Sequence, residues 1–288
     1  MLKRRIIGVL VVQDGIVVQS IKFRQYLPVG RPTVAVEYLN RWGIDEIVLL
    51  DISATLAARR PDFQLIEEVA PCCQVPLAVG GGITTVDDIE SIIRLGADKI
   101  VLNTAAVAEP GLIQEGARRF GSQCVVVSID ARLKSGGGYE AVTTGLRPTG
   151  HDPVTLARLA ENEGAGEILI NSVDRDGTKL GFDVDLISQV SAAVGIPVIA
   201  VGGAGHPQDF VMPLAHGAGA VAAANFFHFT EHSAIMAKRF LQRLGADVRL
   251  DSYASYEAAA FDFTGRLDKQ DDAILEKLRF EYIPEEVI

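Results

Sequence analysis

Residues 78–84 of the chain read AVGGGIT, and residues 200–206 read AVGGAGH, 122 positions further along. A second pair repeats at nearly the same distance, because EIVL at 46–49 is followed by EILI at 167–170. Each pair begins with or contains a short apolar run, as expected of a buried strand. A repeat of this length is long enough to hold several strands and helices, so the sequence indicates two similar halves.

Eight short apolar runs alternate with amphipathic stretches, which is the pattern of consecutive βα units with parallel strands. The predicted strands are 6–12, 46–50, 77–79, 99–102, 124–129, 167–170, 198–201 and 220–223. The predicted helices are 33–42, 63–69, 86–95, 112–120, 153–163, 184–194, 207–216 and 233–244. Eight such units in roughly 250 residues favour a (β/α)8 TIM barrel, an α/β fold, over a doubly wound sheet. We predict this barrel, built from two half-barrel repeats, over residues 1–251, and a C-terminal extension over 252–288.

The composition excludes several classes of protein. There are 27 Lys and Arg residues against 37 Asp and Glu, a formal net charge of −10, which disfavours binding to nucleic acid or to a membrane surface. No apolar run approaches the length of about 18 residues that a membrane span requires. Cys72, Cys73 and Cys124 match neither a disulfide framework nor a zinc pair, which predicts a cytoplasmic protein. The histidines show no ligand spacing and no cofactor motif is present, so we expect no metal and no cofactor.

Glycines and small polar residues follow equivalent strands of the two halves. Glycine there allows backbone N–H groups to approach a phosphate closely. The residues concerned are Gly82, Asn103 and Thr104 in the first half, and Gly203, Ala224 and Asn225 in the second. Their repetition predicts a ligand with a phosphate at each end. The alternative is that these glycines only form tight βα turns.

Acidic residues follow other strands. Asp130 ends the fifth predicted strand, where a barrel keeps catalytic side chains, and a carboxylate there suits general acid or base catalysis. Asp51 ends the second strand, and the acids of 174–179 follow the sixth. Each of these could instead cap a helix or stabilise a turn.

A charged group is predicted at the opposite end of the barrel. Its members stand at or just before strand amino termini: Arg5, Glu46, Lys99 and Glu167. Two bases and two acids around one axis are expected to form salt bridges with one another, and this face of a barrel normally serves stability. From the residues alone, a purely structural role is favoured.

The chain resembles the HisF family, the cyclase subunit of imidazole glycerol phosphate synthase. The segments that carry the resemblance are RRII at 4–7, GIDEIVLLDI at 43–52, VGGGI at 79–83, GADKIVLNTAAV at 96–107, GSQCVVVSIDA at 121–131, GAGEILINSVDRDGTKLGFD at 164–183 and GGAG at 202–205. The resemblance implies a HisH-like glutaminase partner on the amino-terminal face, ammonia passing through the barrel, and a doubly phosphorylated substrate at the other face.

Site roles follow from the resemblance for individual residues. It implies an ammonia gate at Arg5, Glu46, Lys99 and Glu167, a glutaminase contact at Asp98, and a catalytic role for Asp130. The implied substrate or phosphate contacts are Gly82, Asn103, Thr104, Asp176, Gly177, Gly203 and Ala224, with Asn225 at a position where the family pattern has a small hydroxyl residue.

The substrate face departs from the family pattern. A second catalytic aspartate is expected in a pattern like LDVxDG at the end of the first strand, and residues 10–15 read LVVQDG, with Val11 in its place. Gln19 replaces an expected lysine, and Asn171 and Val201 replace small hydroxyl residues. Valine cannot transfer a proton, so a two-carboxylate mechanism has lost one member.

Three hypotheses result from these departures. The first is a paralogue resembling the WbuZ-type subunits linked to surface polysaccharide genes. It receives ammonia for amidation of a sugar or phosphorylated substrate by a third protein, and its own catalysis is weak or absent. The second is an authentic cyclase of histidine biosynthesis, a lyase, in which Asp130 and a rim acid such as Asp51 or Asp176 share the proton transfers. The third is a phosphosugar-binding barrel without a glutaminase.

The C-terminal extension is acidic and aromatic. Residues 253–288 carry nine acids against four bases, half of the net charge of −10. Asp268 could cap an amphipathic helix that carries Ile274, Leu275, Leu278 and Tyr282. We expect the extension to pack on the barrel or on a partner.

Overall fold

The computed structural model describes residues 3–252 and, beyond them, Tyr256, 259–263, Leu267 and Asp268. Eight parallel strands form the barrel: β1 (Arg5–Gln13), β4 (Glu46–Asp51), β5 (Leu77–Gly80), β6 (Lys99–Leu102), β7 (Val125–Leu133), β10 (Glu167–Ser172), β11 (Val198–Val201) and β12 (Ala220–Ala223). Each pairs with the next, and β12 returns to β1 with Arg5 opposite Ala220, so the sheet closes. The predicted (β/α)8 barrel is confirmed.

Two antiparallel additions stand at the carboxyl end of the barrel. The first is a hairpin of β2 (Ile16–Ile21) and β3 (Gln25–Gly30), which extends β1 through the turn at Asp14 and Gly15. The second consists of β8 (Tyr139–Thr143) and β9 (Arg147–Pro148), which extends β7. The sequence indicated the first turn but not the second hairpin, because residues 139–148 lack the alternation of a half-buried strand.

Ten α-helices cover or connect the strands. They are α1 (Pro32–Arg41), α2 (Ile52–Leu56), α3 (Phe63–Val69), α4 (Val86–Arg94), α5 (Thr104–Ala108), α6 (Gly111–Phe120), α7 (Pro153–Asn162), α8 (Val184–Ser191), α9 (Val211–Ala215) and α10 (Ser233–Arg243), counted over the described residues. Local sequence explains their starts, since Thr85 and Asp88 form a capping box at α4. The helix predicted over 207–216 is instead a 3₁₀ turn, Pro207–Phe210, followed by α9.

Alternation along the strands separates two apolar layers. Residues such as Ile6, Leu10, Ile47 and Ile100 point outwards and pack against the helices. Their neighbours on the same strands point into the barrel and form a second cluster: Ile7, Val9, Val48, Ala78, Val101, Val126, Leu169, Ile199, Ala220 and Ala222. Because side chains alternate with a period of two, Arg5, Ile7, Val9 and Val11 share the inward face of β1.

Part of the C-terminal extension packs beside α1 and α10. The Tyr256 hydroxyl lies 2.6 Å from Nδ1 of His232, whose ring also contacts Trp42. Arg239 stacks over the ring of Phe261 at 5.0 Å. The helix predicted after Asp268 lies outside the described residues. In the part of the chain that the structure describes, no helix combines the length and apolar character needed to cross a membrane.

Candidate functional site

A chamber of about 290 Å³ opens at the carboxyl ends of the barrel strands. Its floor consists of inward-facing apolar residues of the strands, among them Val9, Val11, Leu50, Val101, Leu169 and Val201. Tyr26 and Phe23 of the first hairpin form part of its wall. No lysine or arginine lines it among the described residues. The site is therefore an apolar pocket with a few polar groups, as ligand sites usually are.

Asp130 is the central acid of the chamber. Its Oδ2 accepts a hydrogen bond from the Asn103 amide at 3.0 Å, and its Oδ1 accepts one from the Asn171 amide at 3.3 Å. Burial raises the pKa of Asp130 to about 7, aided by the nearby charge of Asp176 and opposed by the two amide hydrogen bonds. A carboxyl group with such a pKa can both accept and release a proton near neutral pH.

Asp176 is a second buried acid, and it holds the first hairpin. Its Oδ2 accepts hydrogen bonds from the Ser20 hydroxyl at 2.6 Å and from the Phe23 backbone N–H at 3.3 Å. Burial raises the pKa of Asp176 to about 6, although these hydrogen bonds favour the ionised form. Burial also raises the pKa of Tyr26, with contributions from the charges of Asp176 and Asp130.

Asp51 has a structural role in its loop. Its Oδ1 caps α2 by accepting from the backbone N–H of Ser53 at 3.0 Å and of Ala54 at 3.2 Å. Its Oδ2 pairs with Arg59 at 2.6 Å. Both carboxylate oxygens of Asp51 are thus engaged within its own loop, so of the two rim acids that the sequence suggested, the geometry favours Asp176 as the second acid of the chamber.

The structure places the predicted phosphate residues of the two halves differently. Gly82, Asn103, Thr104, Asp176 and Ala224 line the chamber. Gly177, Gly203 and Asn225 do not. At Gly82, φ is +71°, and a Cβ would lie 2.6 Å from the Arg59 carbonyl oxygen, so only glycine fits. The Thr104 hydroxyl lies 3.0 Å from that of Thr144, a residue that the sequence did not suggest.

A closed ring of charges blocks the other end of the barrel. Arg5 contacts Glu46 at 2.6 Å and Glu167 at 2.5 Å, and Lys99 contacts the same two residues at 2.9 and 2.8 Å. Burial opposes ionisation of Glu167, but its pairing with Arg5 and Lys99 outweighs burial, and its pKa is lowered. All four predicted gate residues therefore meet, and the ring is balanced in charge.

The ring and the chamber lie on the same inward face of the strands. On β1, Arg5 belongs to the ring and Val11 to the chamber, six residues or roughly 20 Å further along the strand. The apolar interior cluster fills the space between them. Asp98, the predicted partner contact, lies exposed beside Lys99, and its Oδ2 accepts the Leu77 backbone N–H at 2.9 Å.

Sequence reasoning missed the residues that hold the hairpin over the mouth. Ser20 bonds both Asp176 and Asn225, which lie 156 and 205 residues away along the chain. Tyr26 reaches the chamber from a strand whose own residues are largely exposed. The turn at Asp14 and Gly15 was the only signal that a hairpin would stand here.

An acid-bearing chamber at the carboxyl end of a closed (β/α)8 barrel is the architecture of the barrel enzymes. Comparison with known proteins narrows this class. The family model described as "Histidine biosynthesis protein" matches residues 5–233, and the chain belongs to that family.

Three related proteins all carry the name of an imidazole glycerol phosphate synthase subunit. The chain is 43% identical over 268 residues to the putative imidazole glycerol phosphate synthase subunit hisF2 of Vibrio vulnificus, covering 92% of this chain and 98% of the relative. It is 48% identical over 252 residues to the imidazole glycerol phosphate synthase subunit HisF of Pyrococcus furiosus, covering 87% and 100%. The HisF subunit of Hyphomonas neptunium is 46% identical over 251 residues, covering 86% and 99%. The chain is thus HisF-like over nearly its whole length.

Proposed function

We propose that this chain is the ammonia-using barrel subunit of a glutamine amidotransferase complex of the imidazole glycerol phosphate synthase type. The observation that carries the proposal is the alignment of three features on one face of the strands: a closed ring of charges, an apolar interior, and a chamber containing Asp130. The ring and the chamber therefore stand at the two ends of one apolar barrel interior.

The apolar interior suits ammonia rather than ammonium. Moving a cation into a lining of valine, isoleucine and alanine costs several kcal/mol, whereas a small neutral solute carries no such penalty. The ring of Arg5, Glu46, Lys99 and Glu167 would hold back ions and water at the entrance. Its hydrogen-bonding groups could exchange partners with a passing ammonia molecule.

The proposed source of ammonia is a HisH-like glutaminase on the amino-terminal face. The relatives are named as subunits, which indicates assembly with another chain. Asp98 would contact the glutaminase, since it is exposed beside the ring and fixed by the Leu77 backbone.

At the chamber, Asp130 would carry protons during ammonia addition. Its pKa of about 7 suits either direction of transfer. Gly82, Asn103 and Thr104 would hold a phosphate group. Asp176, Gly177, Gly203, Ala224 and Asn225 are the further contacts that family resemblance suggests.

Two acceptors of ammonia remain candidates. The names of the relatives support cyclase chemistry, in which this subunit forms imidazole glycerol phosphate as a lyase. Asp176 would then be the second acid, because Asp51 is committed to α2 and Arg59. One observation favours the other candidate, a WbuZ-type subunit that supplies ammonia for amidation of a sugar by a third protein: Val11 lines the chamber where the family pattern has an aspartate.

An activity assay distinguishes the two hypotheses. The purified chain is incubated with ammonium salt and the doubly phosphorylated cyclase precursor, and turnover is measured. A cyclase predicts turnover at rates ordinary for the family, with little change in Val11→Asp. An amidation subunit predicts no turnover in the wild type. Ile16→Asp is the control, because it adds the same carboxylate at an exposed position of β2 outside the chamber. If the chain binds no glutaminase, both the cyclase and the amidation hypotheses are contradicted, and the hypothesis of a phosphosugar-binding barrel without a glutaminase is favoured.

A further inference from the structure

One hydroxyl side chain, that of Ser128, stands on the inward faces of the eight barrel strands, counted over the described residues. Ser128 lies on β7 between Val126, which belongs to the apolar interior, and Asp130, which belongs to the chamber. Side chains alternate along a strand, so these three share one face. Ser128 is 8% exposed and lines the chamber, so it marks the point where the apolar interior ends.

The Ser128 hydroxyl is not used by the rest of the chain. The carbonyl oxygen of Ser128 accepts the Asn103 amide at 3.0 Å, and the same amide donates to Asp130 Oδ2 at 3.0 Å. Within the part of the chain that the structure describes, no residue forms a hydrogen bond with the hydroxyl itself. A hydroxyl group can donate one hydrogen bond and accept two. The side chain of Ser128 is therefore available to a small polar molecule.

The hydrogen-bonding groups at the inner end of the chamber lie on the β7 side. Asn171 stands beside Asp130 in the register of β10 and β7. The lining residues at the ends of β1, β11 and β12 are apolar: Val11, Val201 and Ala224. A neutral molecule that leaves the apolar interior therefore finds its hydrogen-bonding partners on the β7 side.

The spacing between Ser128 and Asp130 suits a single small molecule. Two residues on the same face of a strand are about 6.6 Å apart, and an ordinary hydrogen bond is about 2.9 Å long. One nitrogen atom between the two side chains can reach both. An ammonia molecule there donates one N–H to the Asp130 carboxylate and one to the Ser128 oxygen, and its lone pair is directed away from both.

We infer that Ser128 is a positioning residue of this site: it receives ammonia where the apolar interior ends and holds the nitrogen beside Asp130, with the lone pair free to attack an acceptor. This inference rests on the proposed function, because it names a residue that holds the ammonia of that reaction. It applies to either acceptor, since ammonia reaches Ser128 before it meets the acceptor.

Ammonium chloride is the probe that tests this inference, because the ammonium ion has the N–H groups of ammonia and its charge acts on Asp130. The pKa of Asp130, which burial raises to about 7, is measured on the full chain by carbon-13 NMR of the carboxyl groups. The reference salt is tetramethylammonium chloride at the same ionic strength, which has the same charge and no N–H donor. An opposite charge in contact favours the ionised carboxyl group, so ammonium should lower the pKa of Asp130 by about 1 more than the reference salt does.

Other titratable groups near Asp130 are followed in the same titration. Among the described residues, the charges of Asp176 and Tyr26 interact with that of Asp130. Asp51, a further acid of the chamber lining, is paired with Arg59. The Asp176 carboxylate already accepts from the Ser20 hydroxyl, so its pKa should respond to ammonium less than that of Asp130.

The variant Ser128→Ala removes one hydrogen bond to the bound ammonium ion. The ammonium concentration that gives half of the pKa change should therefore rise about tenfold. Without ammonium, the pKa of Asp130 should stay as in the wild type, because the two side chains form no hydrogen bond. Ser191→Ala is the matched control: its hydroxyl is also without a partner, it lies at the end of α8 outside the chamber, and its removal should change nothing.

An equal response of the wild type to the two salts would overturn the inference, and so would an unchanged half-change concentration in Ser128→Ala. The comparison of salts needs no variant, so it stands even if Ser128→Ala does not fold. Glutamate release by a glutaminase partner is measured separately. If the chain activates the glutaminase but its response to ammonium does not depend on Ser128, the inference fails alone. If the response depends on Ser128 and no glutaminase is activated, the proposed transfer of ammonia through the barrel fails alone.

Discussion

The ring at the amino end of the barrel predicts a measurable loss of stability in Glu46→Gln. The Glu46 side chain is 2% exposed and accepts from Arg5 and Lys99, so the neutral amide leaves two cations to share Glu167. Breaking a buried pair costs about 3–5 kcal/mol, but both cations are partly exposed and retain one partner, which reduces the expected cost to about 2 kcal/mol. For a domain of this size, that corresponds to a fall in Tm of about 4–8 °C.

Urea denaturation followed by circular dichroism measures this loss as a shift in midpoint at constant slope. The control is Glu67→Gln, on the exposed side of α3, which should change the free energy of unfolding by less than about 0.5 kcal/mol. Glu167 adds a pH test. Because its pKa is lowered in the folded state, the stability it contributes is present above its ordinary value of 4.5 and is lost as the pH falls through the lowered pKa. Equal midpoints for Glu46→Gln and the control would refute the view that the ring is a closed, mutually dependent network.

Three further predictions concern the chamber and the extension. Asp130→Asn should lower turnover by about 10²–10⁴-fold in a complex assay, and wild-type activity should change through a pKa of about 7. The same variant should be more stable than the wild type at pH 8 and similar at pH 4. The reason is that a carboxyl group with a raised pKa in the folded state costs stability as the pH rises through that pKa, by at most about 4 kcal/mol for a change from 3.8 to about 7. Equal stability of variant and wild type at both pH values would contradict the raised pKa of Asp130. Tyr256→Phe should lose about 1 kcal/mol with its hydrogen bond to His232, measured by thermal unfolding against Tyr38→Phe, and no loss would show that the extension does not stabilise the barrel.

The barrel strands could be predicted because runs of valine, isoleucine and leucine recur at regular spacing, and the repeat at 78–84 and 200–206 begins inside the equivalent strands β5 and β11. The ring could also be predicted from the sequence, since all four of its residues begin strands on the inward face. Its closure needed the structure, because a strand start shows only that a charge stands near the barrel end.

The contacts of the first hairpin could not be predicted from the sequence. Ser20 and Asn225 are 205 residues apart, and nothing in either neighbourhood indicates the other. For the same reason, the two phosphate half-sites looked equivalent in sequence. The glycines after β11 pack closely against loop 177–181, and Gly82 packs against the Arg59 carbonyl in the same way, so both the phosphate and the turn interpretation of these glycines stay predictions.

Asp51 shows that a position at the end of a barrel strand does not by itself identify a catalytic acid. It ends a barrel strand as Asp130 does, and the sequence offered either acid for catalysis. Arg59, eight residues later, and two backbone N–H groups engage Asp51, whereas the Asp130 carboxylate accepts hydrogen bonds from two amide side chains and has no cation near it among the described residues that line the chamber. The difference in neighbours, rather than in strand position, separates a helix cap from a candidate catalytic acid.

Binding to a HisH-like glutaminase from the same genome tests the central claim most directly. We predict a complex in analytical ultracentrifugation and an increase in glutamate release from glutamine of about tenfold when the barrel chain is added, a typical coupling between sites. Asp98→Lys should weaken the complex, while Asp87→Lys on the exposed face of α4 should not. A glutaminase that neither binds the chain nor changes its rate would contradict the account.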